Sequence, residues 1–234
     1  METVDNTLAD QAEMKLLHLL TSDAQRNPTF TLFAKPDYFL FAGAPNCSTP
    51  CVSINPAFNW NHGDIAPEID TTWLGIVGPG VRHRGVDRKV WSDHADIRPT
   101  ILAMTGLRDD YLDQGRAITE LMNGDEGDRG GQDLDRMGAA LKQIDAPVGQ
   151  LSLDSLRFAT RATLNSTDAA DGAYIAADAK IAGWAAQRDA LAGQMLSLLQ
   201  RSREDQGDHE QARELTRQAR ALLAEVHMAA MVAQ

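Results

Sequence analysis

His62 sits in "FNWNHGDIAPEIDTTWLGIVGPGV" (58–81), a polar loop followed by an apolar run and the turn Gly78-Pro79-Gly80. An imidazole in a polar loop beside a buried strand suits metal ligation, because a second hydrogen bond can fix the ring. Gly63 lets backbone and ligand approach closely. Taken alone, the His-Gly pair fits a solvated loop residue as well as a ligand. Asp93 and His94 in "SDHADIRP" form a second candidate pair. Asp93 or Asp96 is also well placed to cap a helix opening at Ile97. His62, Asp64, Asp93 and His94 together would make an independent metal site. His83 lies between Arg82 and Arg84, which repel a cation. Cys47 and Cys51 in "CSTPC" fit a small-loop disulfide, half of a zinc site or two free thiols. No HExxH, GxSxG, P-loop or CxxC pattern occurs.

These residues need elements to hold them. The chain has 234 residues, enough for one good-sized domain or a domain with an appendage. Its first half carries eight of the nine prolines, in residues 28–99, and three of the four tryptophans. "TFTLFA" (29–34), "YFLFAG" (38–43) and "TTWLGIVG" (71–78) read as strands, the last as one buried on both faces. "DIRPTILAMTG" reads as a helix with Pro99 in its first turn and Gly106 at its exit. Leu8, Ala12, Leu16 and Leu19 or Leu20 give residues 7–20 an amphipathic helical spacing.

"NGDEGDRGGQD" (123–133) has no apolar periodicity and reads as a linker or long exposed loop. Beyond it, residues 150–164 suit a short helix. Tyr174, Ala177, Ile181, Trp184, Arg188, Leu191, Met195 and Leu198 step by three and four, as do Ala212, Leu215, Ala219, Leu222, Val226 and Ala229. That repeat of about 3.5 residues, interrupted at 203–209, describes an antiparallel helical hairpin. Its apolar seam packs internally or takes a coiled-coil partner.

The formal net charge of −11 and pI near 4.9 argue against general nucleic-acid binding and against adhesion to anionic membranes. No apolar run approaches the roughly 18 residues of a membrane span. The N-terminus lacks the basic stretch and cleavage site of a signal peptide.

The order of features from His62 onward is distinctive: histidine, Pro67-Glu68, "TTWLGIVGPGV", "WSDHADIRPTILAMTGLRDDY" and "GRAI". It resembles the C-terminal end of the alkaline phosphatase superfamily, which includes type I phosphodiesterases and nucleotide pyrophosphatases. The closest likeness is to an exported bacterial phosphodiesterase-like branch. The resemblance covers roughly residues 15–122; the helical tail is also similar, with a less specific pattern. It implies an α/β fold, the C-terminal part of an alkaline-phosphatase-like sheet domain followed by a mainly α-helical hairpin extension. The boundaries expected are residues 1–122 for the sheet segment, 123–135 for a linker and 136–234 for the helical extension.

The resemblance also implies a function. In the superfamily a Ser or Thr nucleophile attacks a phosphate ester between two metal ions. By resemblance His62 would be the last ligand to zinc or another divalent metal. Asp37 would match an upstream aspartate ligand, although Tyr38 stands where the adjoining histidine belongs. The nucleophile and most other ligands are missing from the 61 residues before His62. The expectation is therefore a fragment of a metal-dependent phosphoesterase, inactive alone, completed by a missing N-terminal half or a helical partner. The alternative is a non-catalytic interaction protein built on the helical hairpin. The resemblance points to a periplasmic or secreted protein, the absent signal peptide to the cytosol. Phosphomonoester, phosphodiester and sulfate ester all stay open as substrates.

Overall fold

The computed structural model describes residues 8–34, 38–40, 54–57, 62, 64–108, 110–111, 113–123, 129–164, 170–201 and 209–232. Helices dominate it. The elements run β1 (Leu8–Ala9), α1 (Gln11–Leu16), β2 (Thr31–Leu32), α2 (Pro67–Asp70), α3 (Ile97–Thr105), α4 (Arg129–Asp145), α5 (Gln150–Leu164), α6 (Ala170–Arg201) and α7 (His209–Val232).

This corrects the expected α/β fold. The one sheet among the described residues pairs β1 with β2 antiparallel, Leu8 opposite Leu32 and Ala9 opposite Thr31. Residues 71–77 form no helix, turn or bend and belong to no ladder, and residues 38–40 are irregular and exposed. A parallel sheet buries its strands beneath crossover helices, and that arrangement is absent from the described residues. β-branched and aromatic composition made these runs look like strands. A strand also needs neighbours to take its backbone hydrogen bonds, and composition does not supply them.

The hairpin expectation holds. α6 and α7 lie antiparallel, with the Trp184 Nε1–H donating to Glu225 Oε1 at 2.8 Å. The repeat residues Ala177, Ile181, Trp184, Leu191, Met195 and Leu198 are buried, as are Ala212, Leu215, Ala219, Leu222 and Val226. Their seam is covered within the chain. Met137, Leu141 and Ile144 of α4 and Leu151 of α5 complete the same core, and Ala12 and Leu16 of α1 join it. Helix α4 begins at Arg129, inside the stretch whose glycines suggested a linker.

Helix ends follow local chemistry. Asp10 caps α1 in a capping box with Glu13. α1 closes with Leu19 N–H donating to Met14 O at 2.9 Å, and His18 takes the left-handed conformation at φ 55°. Glycine is the usual residue in that position. Asp93 and Asp96 form the capping box that leads into α3, and Gly106 ends it at φ 67°. A smaller core of Ala9, Met14, Leu17, Phe33, Ile65 and Leu156 anchors the N-terminal segments and the base of the His62 loop to α5.

Candidate functional site

The residues after His62 divide by role. Asp96 is fully buried and accepts from Asp93 N–H at 3.2 Å and Arg116 N–H at 2.8 Å. Lys142 of α4, 3% exposed, reaches Asp96 Oδ1 at 2.8 Å and Asp93 Oδ2 at 3.0 Å. A buried ammonium is tolerated when it is paired and hydrogen-bonded, and two carboxylates meet that condition. Thr100 Oγ1 donates to Asp96 O and accepts from Ile118 N–H. Arg116 forms a two-point pair with Glu120, at 2.7 and 2.8 Å. A Cβ on Gly115 would lie 2.1 Å from Ala95 O, so no side chain fits there. The "SDHADIRPT" and "GRAI" motifs are thus one interlocked unit clamped to α4. Asp93 is a cap, as the helix-start pattern indicated.

Beside this clamp lies a cavity of about 260 Å³, lined by His18, Asp93, His94, Gln114, Lys142 and Asp145 among others. It has titratable walls but little reactive capacity. Lys142 is held by its two aspartates. Asp145 receives Arg188 Nη1 at 3.1 Å, and burial alone would raise its pKa. The neighbouring His18 ring and the charge of Arg188 outweigh burial and hold that carboxyl below its ordinary range. Arg188 Nη1 also meets His18 Nε2 at 2.8 Å. Arginine only donates, so that ring nitrogen is the acceptor in this contact. Among the described residues, no serine, threonine or cysteine lines the cavity as a nucleophile.

Asp10, Glu13 and Asp178 bring carboxylate oxygens within 4.8 Å of one another where α1 meets α6. Tyr174 O–H donates to Asp10 Oδ2. Glu13 is 4% exposed; burial, and then Asp10, push its carboxyl up to about 8. Its ordinary value is 4.5. Between those values the folded protein keeps a proton that the unfolded chain releases. Stability is therefore full below about pH 4.5 and falls as pH rises through about 8. Urea unfolding followed across that range should show this decline, and Glu13→Gln should flatten it. An equal slope in both proteins would contradict the assignment.

His62 is exposed, and among the described residues it has no hydrogen-bond partner. Its loop is tethered just downstream: Asp64 Oδ1 accepts from Ile65 and Ala66 N–H, and both those residues are buried. His62, Asp64, Asp93 and His94 are not gathered into a ligand set. Among the described residues, the spacing needed to hold an ion occurs at Asp10, Glu13 and Asp178. Sequence reasoning missed that cluster, since 165 residues separate Glu13 from Asp178 and nothing local links them. Asp37, Cys47 and Cys51 lie outside the described residues. No helix among the described residues is long and apolar enough to cross a membrane. No family model, no curated protein and no solved structure matches this chain.

Proposed function

We propose that this chain is a non-catalytic portion of a metal-dependent phosphoesterase, supplying one imidazole ligand and a helical scaffold. The observation that supports this reading is the separation of roles after the His62 loop. Asp93, Asp96, Gly115 and Arg116 are spent on capping and packing. His62 is left exposed in a tethered polar loop. A zinc site needs about four ligands, and one imidazole does not make a site. The described residues around His62 add no second ligand, so no hydrolytic step is assigned to this chain alone. Zinc or another divalent ion, with a phosphate ester as substrate, belongs to an assembly that provides the nucleophile and the other ligands.

The interaction-module reading is less favoured by the geometry. The seam of the α6–α7 hairpin is already buried within the chain, so a partner helix would have to use another face.

The test is a zinc titration of the purified chain and of His62→Ala, with an aryl phosphodiester assay alongside. The expected result is weak zinc binding that His62→Ala reduces by about tenfold, a loss of about 1.4 kcal/mol, with no turnover in either protein. Equal binding by both proteins would remove the metal role. Steady turnover abolished by His62→Ala would show a complete site instead.

A further inference from the structure

Residues 71–77, "TTWLGIV", form no helix, turn or bend, are mostly apolar, and all but the half-buried Ile76 are exposed. Trp73 is 88% exposed and Val77 97%, with Leu74 also exposed. Among the described residues, the backbone N–H and C=O groups of residues 72–77 make no hydrogen bond. Such a segment is a strand edge on both sides, ready to template pairing with another chain. Its two flanks carry opposite charge. Asp64, Glu68 and Asp70 precede it, and Arg82, Arg84, Arg88 and Lys89 follow it, with Asp87 as the one acid among them. Arg84, Arg88 and Lys89 are exposed, as are Glu68 and Asp70.

We infer that this segment is a self-association surface, on which a second copy of the chain pairs antiparallel about a two-fold axis near Gly75. A second copy fits for three reasons. Antiparallel pairing brings the acidic flank of each copy toward the basic flank of the other. Parallel pairing would set acid against acid and base against base. About Gly75, the two-fold places Trp73 opposite Val77 of the other copy and Leu74 opposite Ile76, so aromatic and aliphatic side chains meet across the pair. A Cβ on Gly75 would lie 3.2 Å from the Trp73 ring, so the glycine leaves the space over which the indole leans. The interface is isologous, so the paired edge is used up at two copies. It is also small, and dissociation in the micromolar range is expected. The inference is independent of the metal-ligand reading, since His62 lies outside the paired run.

Sedimentation equilibrium of the full chain, from low micromolar to near-millimolar concentration, should give a monomer–dimer equilibrium built on the 25.5 kDa chain. Val77→Lys and, separately, Trp73→Glu should each weaken the dimer by about tenfold or more. Their far-UV circular dichroism should be unchanged, because both side chains are exposed in the monomer. Glu68→Lys should weaken association, and adding Arg84→Glu should restore it. A monomer at every concentration would overturn the inference. So would a dimer indifferent to both substitutions, or growth beyond two copies.

Discussion

Replacing Lys142 with methionine is expected to destabilise the protein by about 3–5 kcal/mol, the usual cost of removing one partner from a buried ion pair. Lys142 is 3% exposed and lies 2.8 Å from a fully buried carboxylate, Asp96. Methionine fills much of the lysine's volume, so the effect isolates charge from packing. Without the ammonium, Asp96 keeps two backbone donors and loses its counter-charge. The carboxyl would then have to take up a proton or draw in water. The damage should spread, because Asp96 holds the 93–118 unit and Lys142 joins that unit to α4. Urea unfolding at 222 nm measures the loss. Combining Lys142→Met with Asp96→Asn should recover part of it, since the uncompensated charge goes and the amide oxygen still accepts from Arg116 N–H. A single Lys142→Met variant within about 1 kcal/mol of the parent, the range of an exposed pair, would show that the clamp is wet and unimportant.

Trp184→Ala is the second large effect, also about 3–5 kcal/mol. The indole is 1% exposed at the centre of the helical core. It meets the Phe158 ring edge-on at 5.1 Å and 67°, and the Lys180 ammonium sits 5.1 Å from its centroid. Its N–H satisfies Glu225 on the opposing helix. Alanine would leave a cavity that four packed helices cannot easily collapse, and would strip Glu225 of its donor. Trp184→Phe should cost distinctly less, because most of the ring volume stays. Thermal unfolding of both variants tests this ordering. Equal losses would assign the effect to the Glu225 hydrogen bond, and a negligible loss for alanine would place Trp184 outside the cooperative core.

The helical half was legible because its information is periodic. Ala177, Ile181 and Trp184 on α6, and Leu215, Ala219 and Leu222 on α7, repeat at the spacing of one helical face, and helix hydrogen bonds close within the segment itself. The same holds for short-range signals. Asp93 and Asp96 announced a helix start, Gly106 its end, and both were found in those roles. Of the three expected strands, "TFTLFA" supplied β2 (Thr31–Leu32), while residues 38–40 and 71–77 lie in no strand, for the complementary reason. "YFLFAG" and "TTWLGIVG" have strand composition, but a strand is completed by residues far away or on another chain. Residues 71–77 found none among the described residues. The site divides in the same way. His62 could be picked out from its loop, while the Lys142 clamp and the Asp10–Glu13–Asp178 cluster could not. Those groups are joined by distances in space, and the sequence shows only their separations along the chain.

What the sequence by itself determined is the paired repeat of the α6–α7 hairpin, the caps of α3, and the placing of one histidine in a polar loop. Each depends on interactions spanning a few residues, which a linear pattern records. Tertiary structure alone decided that α1, α4 and α5 would bury the hairpin seam, that Asp93 and Asp96 would neutralise a lysine from α4, and that an apolar strand-like run would be left uncovered. These outcomes depend on which distant surfaces meet. Burial and charge pairing make that choice for the chain as a whole, and no local segment carries it.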